Sequence, residues 1–155
     1  TPDEDTLVSI LDRTTGTVED APLPILDAAR ILHGQSLVRR ISVAEPLVRW
    51  VARLVRASDP SSGEATKSAK TWVRYGAGVR GAQSMILAAK AVSLLAGRTH
   101  VGLTDLVRVA APALRHRLVP SFEAEADGVA MDTIVERLLE EVPALPKSIA
   151  AMDRA

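Results

Sequence analysis

Cysteine is absent from this 155-residue chain. Its absence removes disulfide scaffolds, thiolate zinc sites and cysteine nucleophiles together, and it suits a reducing compartment. Aromatic residues are scarce as well, at 3%. The core available from the 47% hydrophobic fraction therefore has to be aliphatic. Neither sign of charge is in excess, with 19 Lys and Arg against 19 Asp and Glu. Proteins that neutralise many phosphates carry a basic excess, because counterion release supplies most of their non-specific affinity. Nucleic acid is thus disfavoured as the main partner. Long apolar runs are missing too. The longest, 84–96, is broken by Lys90 and falls short of the ~20 residues that cross a bilayer, so no membrane partner is expected. The first six residues are acidic and cannot be a secretory n-region. The chain also starts without methionine, as a fragment or a processed product would.

Helix signals recur along the chain, and strand signals do not. Folding a single domain of this length buries about 68–70% of its extended surface. Thr1, Pro2, Asp3, Glu4 and Asp5 supply a cap candidate, an N1 proline and first-turn acids, all of which favour a helix start. Leu7, Val8, Ile10 and Leu11 form its apolar stripe. Asp27 can cap a second helix carrying Ala29, Ile31, Leu32 and Leu37. Ser42 and Glu45 have capping-box spacing ahead of a third, in which Leu47, Val48, Val51, Leu54 and Val55 oppose Arg49, Arg53 and Arg56. Residues 57–71 turn to Ser, Pro, Gly, Thr, Glu and Lys and read as a mobile surface loop. Further helices are expected over 79–96, over 102–118 with a kink or split at Pro112, and over 131–142. The tail 144–155 reads as weakly ordered. The expected fold is all-α, a bundle of about six helices.

One constellation suggests chemistry. Gly76, Ala77 and Gly78 immediately precede the 79–96 helix, so the backbone can approach a ligand or take positive φ. Arg80 then falls in the first turn. Free N–H groups and the helix dipole favour anions there, whereas an arginine at this end meets an unfavourable dipole of roughly 0.3–1 kcal/mol. A bound phosphate would offset that term, since guanidinium pairs with phosphate bidentately. A glycine turn followed by an ordinary solvated arginine is the plainer reading of the same residues.

The other polar residues are blander. His33, His100 and His116 lack metal-ligand spacing. Glu123, Glu125 and Asp127 read as charge near a helix start. Trp50 is expected in the core, while Trp72 could stack on nucleotide or pin the long loop.

The stretch Trp72-Val73-Arg74-Tyr75-Gly76-Ala77-Gly78-Val79-Arg80-Gly81 resembles the entry to the lid domain of MoxR-type AAA+ ATPases. The resemblance continues through Gln83-Ser84, Ala88-Ala89-Lys90-Ala91, Leu95-Ala96-Gly97-Arg98, Ala110-Ala111-Pro112 and Leu114-Arg115-His116-Arg117-Leu118. It resumes at Phe122-Glu123-Ala124-Glu125-Ala126 and Ile134-Val135-Glu136-Arg137-Leu138-Leu139. With Asp105-Leu106, Pro2-Asp3 and the connector Ile41-Ser42-Val43 it covers about 1–143.

The resemblance implies a helical lid over 1–143 that completes an ATP site from outside. Arg80 would be its sensor 2 residue on the γ-phosphate, and Gly76, Ala77, Gly78 and Gly81 would lie along the nucleotide-facing turn. Mg2+ would be held by the absent core domain. The implied partners are that core domain, neighbouring subunits in a hexameric cytoplasmic ring, a client protein and a von Willebrand factor A-type protein. Val79 and Gly81 replace the family's proline and alanine, and both are expected to loosen the helix start.

The phosphate-binding motif Gly-x-x-x-x-Gly-Lys-Ser/Thr is missing. Gly63-Glu64-Ala65-Thr66-Lys67-Ser68 has Thr66 where its second glycine belongs, and no apolar strand ends in Asp-Glu. Phosphoryl transfer depends on positioned phosphates and metal, so the chain is expected to be inactive alone. Two alternatives stay open: a free-standing helical adaptor without a nucleotide role, and the lid of a magnesium-chelatase-type relative.

Overall fold

The computed structural model describes residues 2–16 and 23–143. It divides into two compact units, one ending at Leu32 and the other beginning at His33.

In the first unit, α1 spans Glu4–Thr15. Its cap is Asp3, whose carboxylate accepts from the Thr6 N–H at 2.8 Å, and Glu4 and Asp5 follow in the first turn. Pro2 therefore precedes the helix rather than opening it. None of its residues is buried, and Leu7, Val8, Ile10 and Leu11 are 44–51% exposed. Helix α2 spans Ala28–Arg40. Asp27 caps it as expected, accepting from the Arg30 N–H at 2.7 Å.

The second unit holds the core. Helix α3, Glu45–Ala57, buries Leu47, Trp50, Val51, Leu54 and Ala57. Trp50 is core, as the sequence suggests, but Val48 is 44% exposed, because the buried stripe is centred on the Trp50–Leu54–Ala57 side. The expected capping box does not form. Pro46 stands in the first turn of α3 and Ala44 is its N-cap, which leaves Ser42 too early. Ser42 instead bridges to His100, its N–H donating to the Thr99 carbonyl and its carbonyl accepting from Val101.

The 57–71 stretch departs from a plain loop. Its second part folds as α4, Lys67–Trp72, capped by Thr66, with Ala69 buried. Its first part folds back on itself: the Thr66 N–H donates to the Ala57 carbonyl and Ser62 to that of Asp59. The polar composition that reads as a loop is used here for turn and cap hydrogen bonds.

Two short strands that the sequence does not announce follow from the same economy. β1, Val73–Tyr75, pairs antiparallel with β2, Val119–Pro120. Segments of two and three residues are too short to show alternation. Helix α5, Gly78–Leu95, buries Gly81, Met85, Ala89 and Ser93 against α3 and α6. Helix α6, Leu103–Leu114, is not split at Pro112. It runs two residues past the proline and ends four short of Leu118, so the helix bond that proline removes is lost only in the last turn, with little helix left beyond it to be bent. Helices α7, Phe122–Ala126, and α8, Met131–Glu141, close the bundle, with Ile134, Val135 and Leu138 fully buried. Each fully buried Leu or Ile contributes about 1.5–3 kcal/mol, and this aliphatic set replaces the aromatics the chain lacks. The architecture is all-α apart from the small β1–β2 ribbon, with eight helices among the described residues. None of these helices is long and apolar enough to cross a membrane.

Candidate functional site

The turn that opens α5 is built around two glycines with different tasks. Gly78 has φ +63°, the left-handed region that glycine enters without a Cβ penalty. Gly76 gives close approach instead: a Cβ there would lie 2.8–2.9 Å from the backbone and Cβ of Asp59. Between them Ala77, the N-cap residue of α5, is buried and donates its N–H to Ser58 Oγ at 3.2 Å. Ser58 ends α3 and is fully buried; its hydroxyl donates in turn to the Val55 carbonyl at 2.7 Å. Asp59 beside it accepts from the Ser61 N–H and hydroxyl at 2.9 and 2.7 Å, which hold its carboxyl below the ordinary range.

Gly81 is buried under the neighbouring helix. A Cβ at this position would meet the Ala77 Cβ at 2.9 Å and Leu114 Cδ2 at 3.1 Å. The expectation that Gly81 loosens the helix start is therefore corrected, because its missing side chain lets α6 pack tightly against that start.

The residues proposed from sequence to face nucleotide separate into two groups. Gly76, Ala77 and Gly81 are packed into the protein, and the Ala77 N–H is already engaged. Gly78, Val79 and Arg80 are exposed. No side chain caps α5, so its leading N–H groups have no intrahelical partner. Among the described residues Arg80 forms no hydrogen bond or ion pair. An exposed guanidinium and free N–H groups at one helix end can together hold an oxyanion.

Trp72, the last residue of α4, packs half-buried against the core, with its carbonyl accepting from the Ser121 N–H. Arg74 stands 5.4 Å over the ring of Tyr75. His116 is exposed, and its neighbours carry the local structure: Arg115 pairs with Asp132 at 3.2 Å, and Arg117 donates to Ser84 Oγ at 3.1 Å. Among the described residues no three His, Cys, Asp or Glu side chains could hold a metal ion.

Two polar clasps escaped the sequence reading. Asp105, 4% exposed, accepts from both terminal nitrogens of Arg98, at 2.8 and 2.6 Å, and from the Gly102 N–H at 2.9 Å. Glu141, on the last turn of α8, accepts from the Lys67 N–H at 2.7 Å and from the hydroxyl of Ser68, capping α4 from 74 residues away. The Gly102–Asp105 spacing offered a signal for the first clasp; none existed for the second.

Residues 65–138 match the AAA lid domain family. Helical packing and this match define the class as an AAA+ helical lid. Chaperone MoxR1 of Mycobacterium tuberculosis (strain ATCC 25618 / H37Rv) is 33% identical over 123 residues, or 79% of this chain and 32% of the relative. The chain belongs to the lid domains of the MoxR-type AAA+ ATPases, and it spans about a third of that relative's length. A crystal structure described as a candidate ATPase from Cytophaga hutchinsonii ATCC 33406 shares the fold, with TM-score 0.73 at 23% identity over 94% of this chain and 44% of that one.

Proposed function

We propose that this lid completes an ATP site whose phosphate-binding and magnesium-binding parts belong to a separate core domain, and that Arg80 is its sensor 2 residue. The observation that carries this reading is the exposed guanidinium of Arg80, unpartnered among the described residues, on the first turn of an 18-residue helix. The dipole disfavours a cation there by roughly 0.3–1 kcal/mol, and phosphoryl oxygens from outside reverse that term. Bound ATP would supply the transferable phosphoryl group. The lid's part is to place positive charge beside it and to change angle as that charge is gained or lost.

The apolar stripe of α1 supports the same reading. Leu7, Val8, Ile10 and Leu11 form one exposed amphipathic face, the face a core domain would cover. Assembly into a hexameric cytoplasmic ring, action on a client protein and work with a von Willebrand factor A-type partner complete the proposal, in which ATP turnover drives protein remodelling or maturation. In the full-length protein, Arg80→Ala should lower kcat for ATP hydrolysis by about 100- to 1,000-fold, the span for losing one transition-state donor, with the lid still folded by circular dichroism. Unchanged turnover would remove the sensor assignment.

A further inference from the structure

The turn 58–59 lies outside every motif of the sequence, yet it touches the site at two consecutive residues. Ser58 ends α3, and its N–H continues the helix ladder to the Leu54 carbonyl at 3.0 Å. The same residue's hydroxyl is committed on both sides, donating to Val55 and accepting from Ala77. Asp59 then fills the space that any side chain at Gly76 would need. Two consecutive residues of one helix end thus grip the two consecutive residues that precede Gly78. Arg80 follows three residues after Ala77, about 4.5 Å along the axis at 1.5 Å per residue.

We infer that Ser58 is a positioning residue for Arg80, linking the end of α3 to the start of α5 so that the guanidinium is held on a fixed pivot. This inference rests on the sensor role proposed for Arg80. Ser58 is fully buried and touches no ligand itself. Removing its hydroxyl leaves the buried Ala77 N–H without an acceptor, and that group regains a partner only if the turn moves. Displacement at the pivot carries Arg80 with it, and about 1 Å of misplacement can cost up to a hundredfold in rate.

The test is a double-mutant cycle in the full-length ATPase with Ser58→Ala, Arg80→Ala and both together. Each protein is measured for kcat, for KM with ATP, and for urea stability. If Ser58 acts through Arg80, Ser58→Ala lowers kcat about tenfold or more while the double variant is no slower than Arg80→Ala alone. The stability losses of the two changes, by contrast, add. A double variant slowed by the product of the two single effects overturns the positioning role, as does an unchanged kcat in Ser58→Ala when Arg80→Ala is slow. An unchanged kcat in Arg80→Ala removes the sensor reading first, and the inference with it. Should Ser58→Ala not fold, Ser58→Cys carries the same comparison, filling the site with a slightly larger atom that is a weak acceptor.

Discussion

Replacing Asp105 with asparagine keeps the shape of the side chain and removes its charge from a nearly closed site. The carboxylate, 4% exposed, takes three donors: two from Arg98 and the N–H of Gly102. In Asp105→Asn one oxygen becomes an NH2 group, so a donor faces a donor. Losing one member of a buried pair costs about 3–5 kcal/mol when the other charge stays buried. The Arg98 side chain is 36% exposed and can rehydrate, which brings the expected loss to about 2–3 kcal/mol. Against a domain stability of about 5–15 kcal/mol, the change is large. At about 2–4 °C per kcal/mol for a chain of this size, Tm should fall by about 4–12 °C. Urea unfolding followed by Trp50 and Trp72 fluorescence measures it, with the m-value unchanged. A loss under about 0.5 kcal/mol, the level of an ordinary surface substitution, would show that the clasp does not hold α6 to the α5–α6 connection.

The same clasp predicts the acid limb. Burial is the largest influence on Asp105 and pushes its pKa up. The hydrogen bonds from Arg98 and Gly102, with the charges of Arg98 and Arg108, together outweigh it and hold the carboxyl below its ordinary value. A carboxyl lowered by folding stabilises the protein above its unfolded pKa, about 3.9, and loses that contribution as pH falls through the folded value. Wild type should therefore lose stability on acidification below about pH 4, and the gap to Asp105→Asn should narrow. A gap that widened toward low pH would contradict the sign.

Two further substitutions follow from the packing. Gly81→Ala should destabilise by about 1–3 kcal/mol through overpacking against Ala77 and Leu114, although alanine is intrinsically the better helix former by about 1 kcal/mol; a raised Tm would show that α6 yields. Glu141→Gln should cost about 1–2 kcal/mol by weakening a charge-assisted cap, with faster amide exchange at Lys67 and Ser68 than at Met85. Equal protection of those two amides in wild type and variant would refute the capping role.

Helix periodicity made α3, α5 and α8 legible, because their buried faces recur at helical spacing and because Gly97 and Pro143 stand just beyond two of their ends. The errors fall where a distant residue decides the outcome. Ser42 has the spacing of a capping box, but Pro46 sets the helix start and Thr99 and Val101 take its backbone groups. The polar 57–71 stretch conceals α4 because its N-terminal donors are met by Glu141, a contact no local pattern records. The candidate turn was found through Arg80 and its glycines. Ser58, which braces that turn, went unnoticed, since a serine at a helix end is common and its acceptor role depends on an amide 19 residues away.

The two departures at the start of α5 have opposite physical meanings. Val79 is 74% exposed, so the family's proline at this position is not replaced by any contact, and its rigidity is lost. Gly81 is buried and closely fitted, so its flexibility is suppressed by Leu114 and Ala77. Backbone order around Arg80 therefore comes from tertiary packing, with α6 on one side and the Ser58–Asp59 turn on the other, rather than from a proline fixed in the turn itself. The start of α5 is thereby tied to both α3 and α6. Restoring the proline with Val79→Pro would supply local rigidity without touching either neighbour. The proline N–H would be lost at a helix position where no intrahelical partner exists. If packing already fixes the turn, Val79→Pro in the full-length ATPase should leave kcat within about twofold, a change worth under 0.5 kcal/mol in barrier. A many-fold gain in turnover would show that the glycine-flanked turn is loose in spite of its contacts.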